Sequence, residues 1–558
     1  MESANLYKPS FKGEQWTERD LRYLEPFFSN PQGLISVVSN LPPELTGALC
    51  SRASRAKGSL LRVFLDEYVY PILEGEDRQL AEELEEVVSF FAKKGFKNIL
   101  GNQRAQAFYA KWLSQYGDDS IAQLTGTHSV FWGVSQVAMK YLEDRRIGLE
   151  PIEKSTRYVN FGQKIDGKYL YYTPTPDLER MGLLSEYTSC MDALFDAYVN
   201  LLPKFLGWLK ENFDDKEPIL EKKAFDTLRG LLPMATLGQV AFRGNAQAFE
   251  YLLNRLAKHP LGEFRWIGET LKNELDKEIP SLFLRINDSA SGFYQEELAK
   301  RAARVRDISP FSDFSNGENI DSGTEPLVRL VEYDTYAEDR IIAGILYPES
   351  HKTWENVFSW VKMMSPLEKK DVIAAYIGER NARWQKIGRA FENSYMRFEI
   401  EMNIGAYRDL HRHRMMTQDR QRFSAHHGYD VPQELINSGF SNEFIEALER
   451  IKPLFKKLEA IDPDCAQYVV PLAYRIRFHQ YQNVRQFFWE TELRTISQGH
   501  PDYRSIEHKK YDLAKKAFPL ISEFILADLK DYKVARRGTE EQIAAKEQNL
   551  IEKLREKQ

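Results

Sequence analysis

Cysteine is scarce in this chain of 558 residues: Cys50, Cys190 and Cys465 lie far apart, and no CxxC occurs. Three cysteines cannot all pair with one another, which argues against a disulfide scaffold and against a thiolate zinc site. Long apolar runs are also missing. None approaches 18 residues, so no membrane span is expected. The polar opening MESANLYKPSFKGEQW has no apolar segment of the kind a signal peptide needs. Excess positive charge is absent too. The net charge is −6, which disfavours electrostatic nucleic-acid binding by the whole molecule. GxGxxG, P-loop, GxSxG and HExxH motifs are not found, and no metal site is expected. These absences predict a soluble cytoplasmic protein with neither a membrane nor a nucleic-acid partner.

What is present is ordinary globular composition, 43% hydrophobic and 28% charged, in a chain long enough for two to four domains. Apolar residues recur at three- and four-residue spacing over 76–94, 183–210 and 441–459, which predicts helices. Strand signals are few and short, namely Lys168–Tyr172 and Leu327–Tyr333. The expected fold is therefore mainly helical with a minor sheet. Two stretches rich in Ser, Asp, Asn and Gly, 286–293 and 308–326, read as a linker around a helical-looking piece. The charged segment from about Lys530 reads as a tail, either a solvated helix or partly disordered.

An internal repeat crosses the linker. Pro233 of Leu231-Leu232-Pro233 and Pro471 of Val469-Val470-Pro471 stand 238 residues apart, as do Asn245 and Asn483. An arginine follows each asparagine, at Arg255 and Arg494, and Pro260 and Pro501 come next. Arg146 matches Arg414 only in a register that needs gaps. The shared order points to two copies of one domain.

Three segments carry chemistry. In Glu153-Lys154-Ser155-Thr156-Arg157-Tyr158, an extended backbone puts Glu153, Ser155 and Arg157 on one face. A carboxylate, a hydroxyl and a guanidinium together can hold a nucleobase edge and a phosphate. The same residues also suit an exposed charged strand edge. The second segment is His411-Arg412-His413-Arg414, set among five arginines between Arg408 and Arg422. Phosphate suits such guanidiniums best, while a solvated helix face is the bland alternative. The third comprises Arg255 with His259 and Arg494 with His500, preceded by Arg229 and Arg485; helix C-terminal cations explain Arg255 and His259 equally well. Cys50 has Arg52, Arg55 and Lys57 nearby, which could lower its pKa, although a small buried cysteine on a helix is the commoner case.

These segments, in this order, resemble the flavin-dependent thymidylate synthases twice over. The signature of that family is Arg-His-Arg, then a Glu-bearing stretch ending in Ser-x-Arg-Tyr. An arginine before Φ-Φ-Pro follows, then Asn-Ala-Arg and Arg-x-x-x-His. The first half keeps Glu153, Ser155, Arg157, Tyr158, Arg229, Arg255 and His259, but reads Asp144-Arg145-Arg146 and Asn245-Ala246-Gln247 elsewhere. The second half keeps Arg412-His413-Arg414, Asn483, Arg485, Arg494 and a displaced His500. It reads Arg420-Gln421-Arg422-Phe423-Ser424 and Gln467 where the first half keeps the motif.

The resemblance implies an α+β fold of two tandem domains, each with a small antiparallel sheet. The expected boundaries are 1–290 and 327–530, with a linker over 291–326 and a tail over 531–558. It also implies reductive methylation of dUMP to dTMP, with FAD as cofactor and with NADPH and methylenetetrahydrofolate as co-substrates. Ser155, Arg157 and Arg494 are implied as catalytic. Glu153, Tyr158, Arg229 and Arg255 join them in binding substrate. Arg412, His413, Arg414, Asn483, Arg485, His500 and His259 are implied to bind the flavin. Family sites form between the subunits of a tetramer, so this chain is expected to act as a homodimer resembling that tetramer, with composite sites built from the two halves. Cysteine-dependent thymidylate synthases activate their pyrimidine covalently, and no cysteine here has their Pro-Cys-His context. The alternatives are a related flavoenzyme acting on another uracil-containing nucleotide and a non-catalytic nucleotide-binding derivative.

Overall fold

The computed structural model describes residues 2–93, 95, 103–115, 119–309 and 326–532. In chain order the strands are β1 (Ile35–Val38), β2 (Gly126–Ser135), β3 (Leu149–Glu153), β4 (Lys164–Ile165), β5 (Lys168–Tyr169), β6 (Leu237–Asn245), β7 (Leu327–Tyr333), β8 (Tyr395–Asn403), β9 (Thr417–Arg420) and β10 (Arg475–Asn483). Six helices frame the sites: α1 (Gln136–Glu143), α2 (Ala246–Leu256), α3 (Gly262–Glu278), α4 (Ile404–Leu410), α5 (Val484–Arg494) and α6 (Pro501–Ala517). Helix dominates elsewhere, and among the described residues the strand pairing is antiparallel throughout. The α+β expectation therefore holds.

The sheets repeat. One runs β1-β2-β6-β3 and the other β7-β8-β10-β9. The third strand of each sheet ends in an asparagine that caps the next helix. Asn245 accepts from the Ala248 N–H at 2.9 Å and Asn483 from the Gln486 N–H at 2.8 Å. The second strand of each does likewise, with Ser135 capping α1 and Asn403 capping α4. Each cap contributes about 1 kcal/mol. It also turns the chain from strand to helix at the same place in both copies.

These caps fix the alignment that the sequence left gapped. Ser135 and Asn403 are 268 residues apart, so Asp144, Arg145 and Arg146 fall on Arg412, His413 and Arg414. Past that point one residue is lost. Glu153 stands opposite Val240 and Arg420 opposite Phe478, which upholds the match of Glu153 to Arg420; past the strands, the matches of Ser155 to Arg422 and Arg157 to Ser424 rest on sequence order alone.

The chain forms two compact units that interleave the sequence. The first takes in Met1–Phe205, Phe225–Glu318 and Leu435–Pro471, and the second Leu206–Ala224, Asn319–Glu434 and Leu472–Gln558. Boundaries at 290 and 327 thus separate the sequence copies, not the compact units. Within the first unit the repeat prolines face each other. Pro233 bridges Pro471, the Met234 N–H donates to Val470 O at 2.9 Å, and the Ala235 N–H donates to Tyr468 O at 2.8 Å. Phe444, Leu448, Leu454, Phe455 and Leu458, all from the later half of the sequence, are buried and belong to this unit.

Three local expectations change. Lys168–Tyr172 yields only the two-residue β5, with Tyr171 in a lone bridge to Thr236. The helix expected over 441–459 breaks into Ser441–Glu449 and Ile451–Ile461. The linker begins as a helix, Ser289–Ile308; its residues 310–325 and tail residues 533–558 lie outside the described residues.

Candidate active site

In the first unit β3 ends at Glu153, and Thr156–Tyr158 form a turn. Side-chain alternation therefore stops before Arg157, and the common face expected for Glu153, Ser155 and Arg157 does not form. Glu153 points inward instead. The fully buried Lys140 ammonium on α1 donates to Glu153 at 3.0 Å and to Glu143 at 2.5 Å. The Ser155 hydroxyl accepts from the Arg157 N–H at 3.2 Å, and the Tyr158 N–H closes the turn on Ser155 O at 3.4 Å.

The turn aims Arg157 at Asp226. Its Nε and Nη2 both lie 2.9 Å from Asp226 Oδ2, and Arg229 Nε is 3.4 Å from Oδ1. One carboxylate thus gathers two of the expected substrate arginines. Arg255 does not join them; it hydrogen-bonds Tyr141. His259 stacks on Phe264 with ring centroids 4.3 Å apart, and its Nδ1 accepts from the Leu261 N–H at 3.1 Å. Burial pushes the His259 pKa down to about 4, and Arg265 and Arg145 add to the effect.

In the second unit His413 is buried between two helix α5 side chains. Its Nε2 accepts from Arg494 Nε at 2.8 Å, and its Nδ1 lies 3.1 Å from the Gln486 amide. Burial, with the Arg494 charge beside it, lowers its pKa to about 3, so the ring is neutral at physiological pH. Asp409 lies 3.8 Å from Arg494 Nη1 and 3.9 Å from Arg412 Nη1. Arg412 is exposed and Arg414 half-buried.

The other expected flavin residues have structural duties. Asn483 caps α5. Arg485 donates to Ile387 O at 3.0 Å and to Glu392 at 2.7 Å. His500 caps α6, its Nδ1 accepting from the Asp502 N–H at 3.1 Å. His259 makes the equivalent bond ahead of α3, so the displacement seen in sequence conserves a helix entry.

Counting from the caps separates two arginines matched by sequence. Arg494 is the eleventh residue after Asn483, whereas Arg255 is the tenth after Asn245. One residue is about 100° around a helix. Leu256, fully buried, holds the position of Arg494. Asp226 went unnoticed in the sequence, yet like Asp409 it stands three residues before an arginine it approaches, which is one helical turn. All three cysteines are buried, and burial pushes the Cys50 thiol up to about 11, against a reactive role.

Comparison with known proteins decides the family. The model for thymidylate synthase complementing proteins matches residues 77–281 and again 329–520. The chain belongs to that family, the flavin-dependent thymidylate synthases, as two tandem copies. A UPF0159 protein of Chlamydia pneumoniae is 34% identical over 508 residues, covering 89% of this chain and 92% of that protein. A UPF0159 protein of Thermoplasma acidophilum is 30% identical over 478 residues, covering 79% and 92%. Among solved structures, a UMP/dUMP methylase, PolB from Streptomyces cacaoi bound with 5-Br dUMP, aligns with 36% of this chain and 94% of its own, at 15% identity and a TM-score of 0.29. At family level the chain is a thymidylate synthase-like methyltransferase of the flavin type. Among the described residues no helix is long and apolar enough to cross a membrane.

The donor set around His413 fits a flavin nucleotide. Arg412, Arg414 and Arg494 offer only donors, matched to a diphosphate and to ring carbonyl oxygens. The neutral, buried His413 anchors Arg494 without adding charge.

Proposed function

We propose that the chain converts dUMP to dTMP, taking the carbon from methylenetetrahydrofolate and the reducing equivalents from NADPH. The balanced products are dTMP, tetrahydrofolate and NADP⁺. The observation that carries this reading is the pair of family matches, one in each half, with complementary motifs retained. The second half supplies Arg412, His413, Arg414 and Arg494 toward FAD. The first supplies Ser155, Arg157 and Arg229 toward dUMP. Bound FAD would supply the redox chemistry. The protein's part is to bind, orient and polarise. Arg157 and Arg229, already gathered by Asp226, hold the nucleotide phosphate. Arg494, oriented through its Nε by His413, faces negative charge developing on the uracil, where a fixed cation is most effective.

The test is product analysis with purified protein, dUMP, NADPH and methylenetetrahydrofolate. Flavin-dependent formation of dTMP is expected. Methylation of UMP but not dUMP would move the substrate to another uracil nucleotide. A colourless protein with no product would leave only a binding role.

A further inference from the structure

The loop Ser54-Arg55-Ala56-Lys57-Gly58 precedes the first family match, which begins at residue 77. It is nevertheless built onto the Glu153–Tyr158 segment of the same unit at three points. The Ser155 N–H donates to Ser54 O at 2.9 Å. The buried Lys154 ammonium donates to Lys57 O at 2.7 Å and to Gly58 O at 2.9 Å. The Arg55 guanidinium lies over the Tyr158 ring, 5.8 Å from its centroid. With its backbone fixed in this way, the loop holds two exposed cations, Arg55 and Lys57, beside the half-exposed Ser155, Arg157 and Tyr158.

The charges differ in how they are used. Arg157 and Arg229 share Asp226, so an incoming phosphate competes with a carboxylate already in place. Glu14, which lies beside Gly58 of the loop, is engaged by the Ser59 N–H and hydroxyl at 2.7 and 2.8 Å and by Arg62 at 3.8 Å. Among the described residues neither Arg55 nor Lys57 has a carboxylate partner. Two unneutralised cations held by a rigid loop next to a pair that is partly neutralised are placed to supply the charge a phosphate dianion needs. We infer that Arg55 and Lys57 form a phosphate clamp, with the 5′-phosphate of the pyrimidine nucleotide as its ligand. This inference rests on the function proposed above.

The test uses full-length Arg55→Ala/Lys57→Ala protein, titrated with dUMP, deoxyuridine and FAD. The expected result is about tenfold weaker dUMP binding, with deoxyuridine and FAD within twofold of wild type. Weakened FAD binding with dUMP binding unchanged would overturn the inference, since the loop would then serve the flavin diphosphate. Unchanged binding of all three would overturn it. If wild-type protein binds neither dUMP nor FAD, the proposed function fails, and inorganic pyrophosphate then judges the loop alone. Weaker pyrophosphate binding by the variant supports the clamp, and equal binding overturns it.

Discussion

The interiors of the two units differ in kind at matched positions. In the second, Gln480 and Gln482 of β10 donate to Glu490 of α5 at 2.8 and 2.9 Å. Lys510 of α6 donates to Gln480, Glu490 and Glu507 at 2.7–2.8 Å, and all five groups are fully buried. Counted from the Asn245 and Asn483 caps, the first unit has Phe242, Gly244 and Leu252 at the positions of Gln480, Gln482 and Glu490. Helices α3 and α6 are both 17 residues long, which sets Gly268 and Leu271 against Glu507 and Lys510. Gly244 is forced: a Cβ there would come within 2.4 Å of Leu149 and 2.6 Å of Phe249. One backbone plan is thus filled with hydrocarbon in one copy and with a polar network in the other. The network lies next to the redox side of the proposed division, since Glu490 and Lys510 both act on His413. The lesson is that the copies have diverged inside as well as at their motifs.

The largest effect should come from cutting the chain between residues 309 and 326. Each piece then lacks a segment of its compact unit, Leu435–Pro471 in one case and Leu206–Ala224 in the other. Expressed alone, each should be insoluble or unfolded by circular dichroism and inactive. Co-expressed, they should associate and recover flavin-dependent dUMP methylation.

Arg412→Ala/Arg414→Ala protein should be folded and colourless, with flavin absorbance lost. Full flavin occupancy would remove FAD from the second half.

The interiors can be challenged next. Lys510→Met leaves Glu490 and Glu507 buried without their cation and should cost about 3–5 kcal/mol in urea unfolding. Leu271→Lys places the same cation in the first unit without the two acids and should cost a similar amount. A small loss for both would mean that the two interiors are interchangeable.

Acid sensitivity is the smallest effect. Burial pushes His413 to about 3, and His259 and His427 to about 4. Each stays neutral when folded but takes a proton below about 6.5 when unfolded. The unfolded state therefore binds more protons, and stability falls as pH drops from about 6.5 toward 4. Glu263 works oppositely: burial raises it to about 7, so its contribution is lost as pH rises through 7. His413→Gln should flatten the acid side of a plot of Tm against pH.

Much of this was legible in the sequence. Order and spacing revealed the repeat because a capping asparagine and a turn-forming proline are tied to fixed backbone geometry. The four longest strands were harder to see. In β8, Met396, Phe398, Ile400 and Met402 are buried at every second position and alternate with Arg397, Glu399 and Glu401, the period-two pattern of a strand, which the longer helical periodicities elsewhere overshadowed. Glu153 was misplaced because nothing in its own segment announces Lys140, thirteen residues earlier on α1. The interleaved units were invisible, since period and composition do not say which unit a helix packs on.

The central claim is reciprocal division between matched positions, and paired titrations test it most directly. Four single variants are compared: Arg157→Ala with its counterpart Ser424→Ala for dUMP, and Arg414→Ala with its counterpart Arg146→Ala for FAD. Loss of one charge-assisted contact costs about 1.5–3 kcal/mol. Arg157→Ala should therefore weaken dUMP binding roughly ten- to a hundredfold while Ser424→Ala leaves it unchanged. Arg414→Ala should likewise weaken FAD binding while Arg146→Ala does not. Equal losses within either pair would contradict the account.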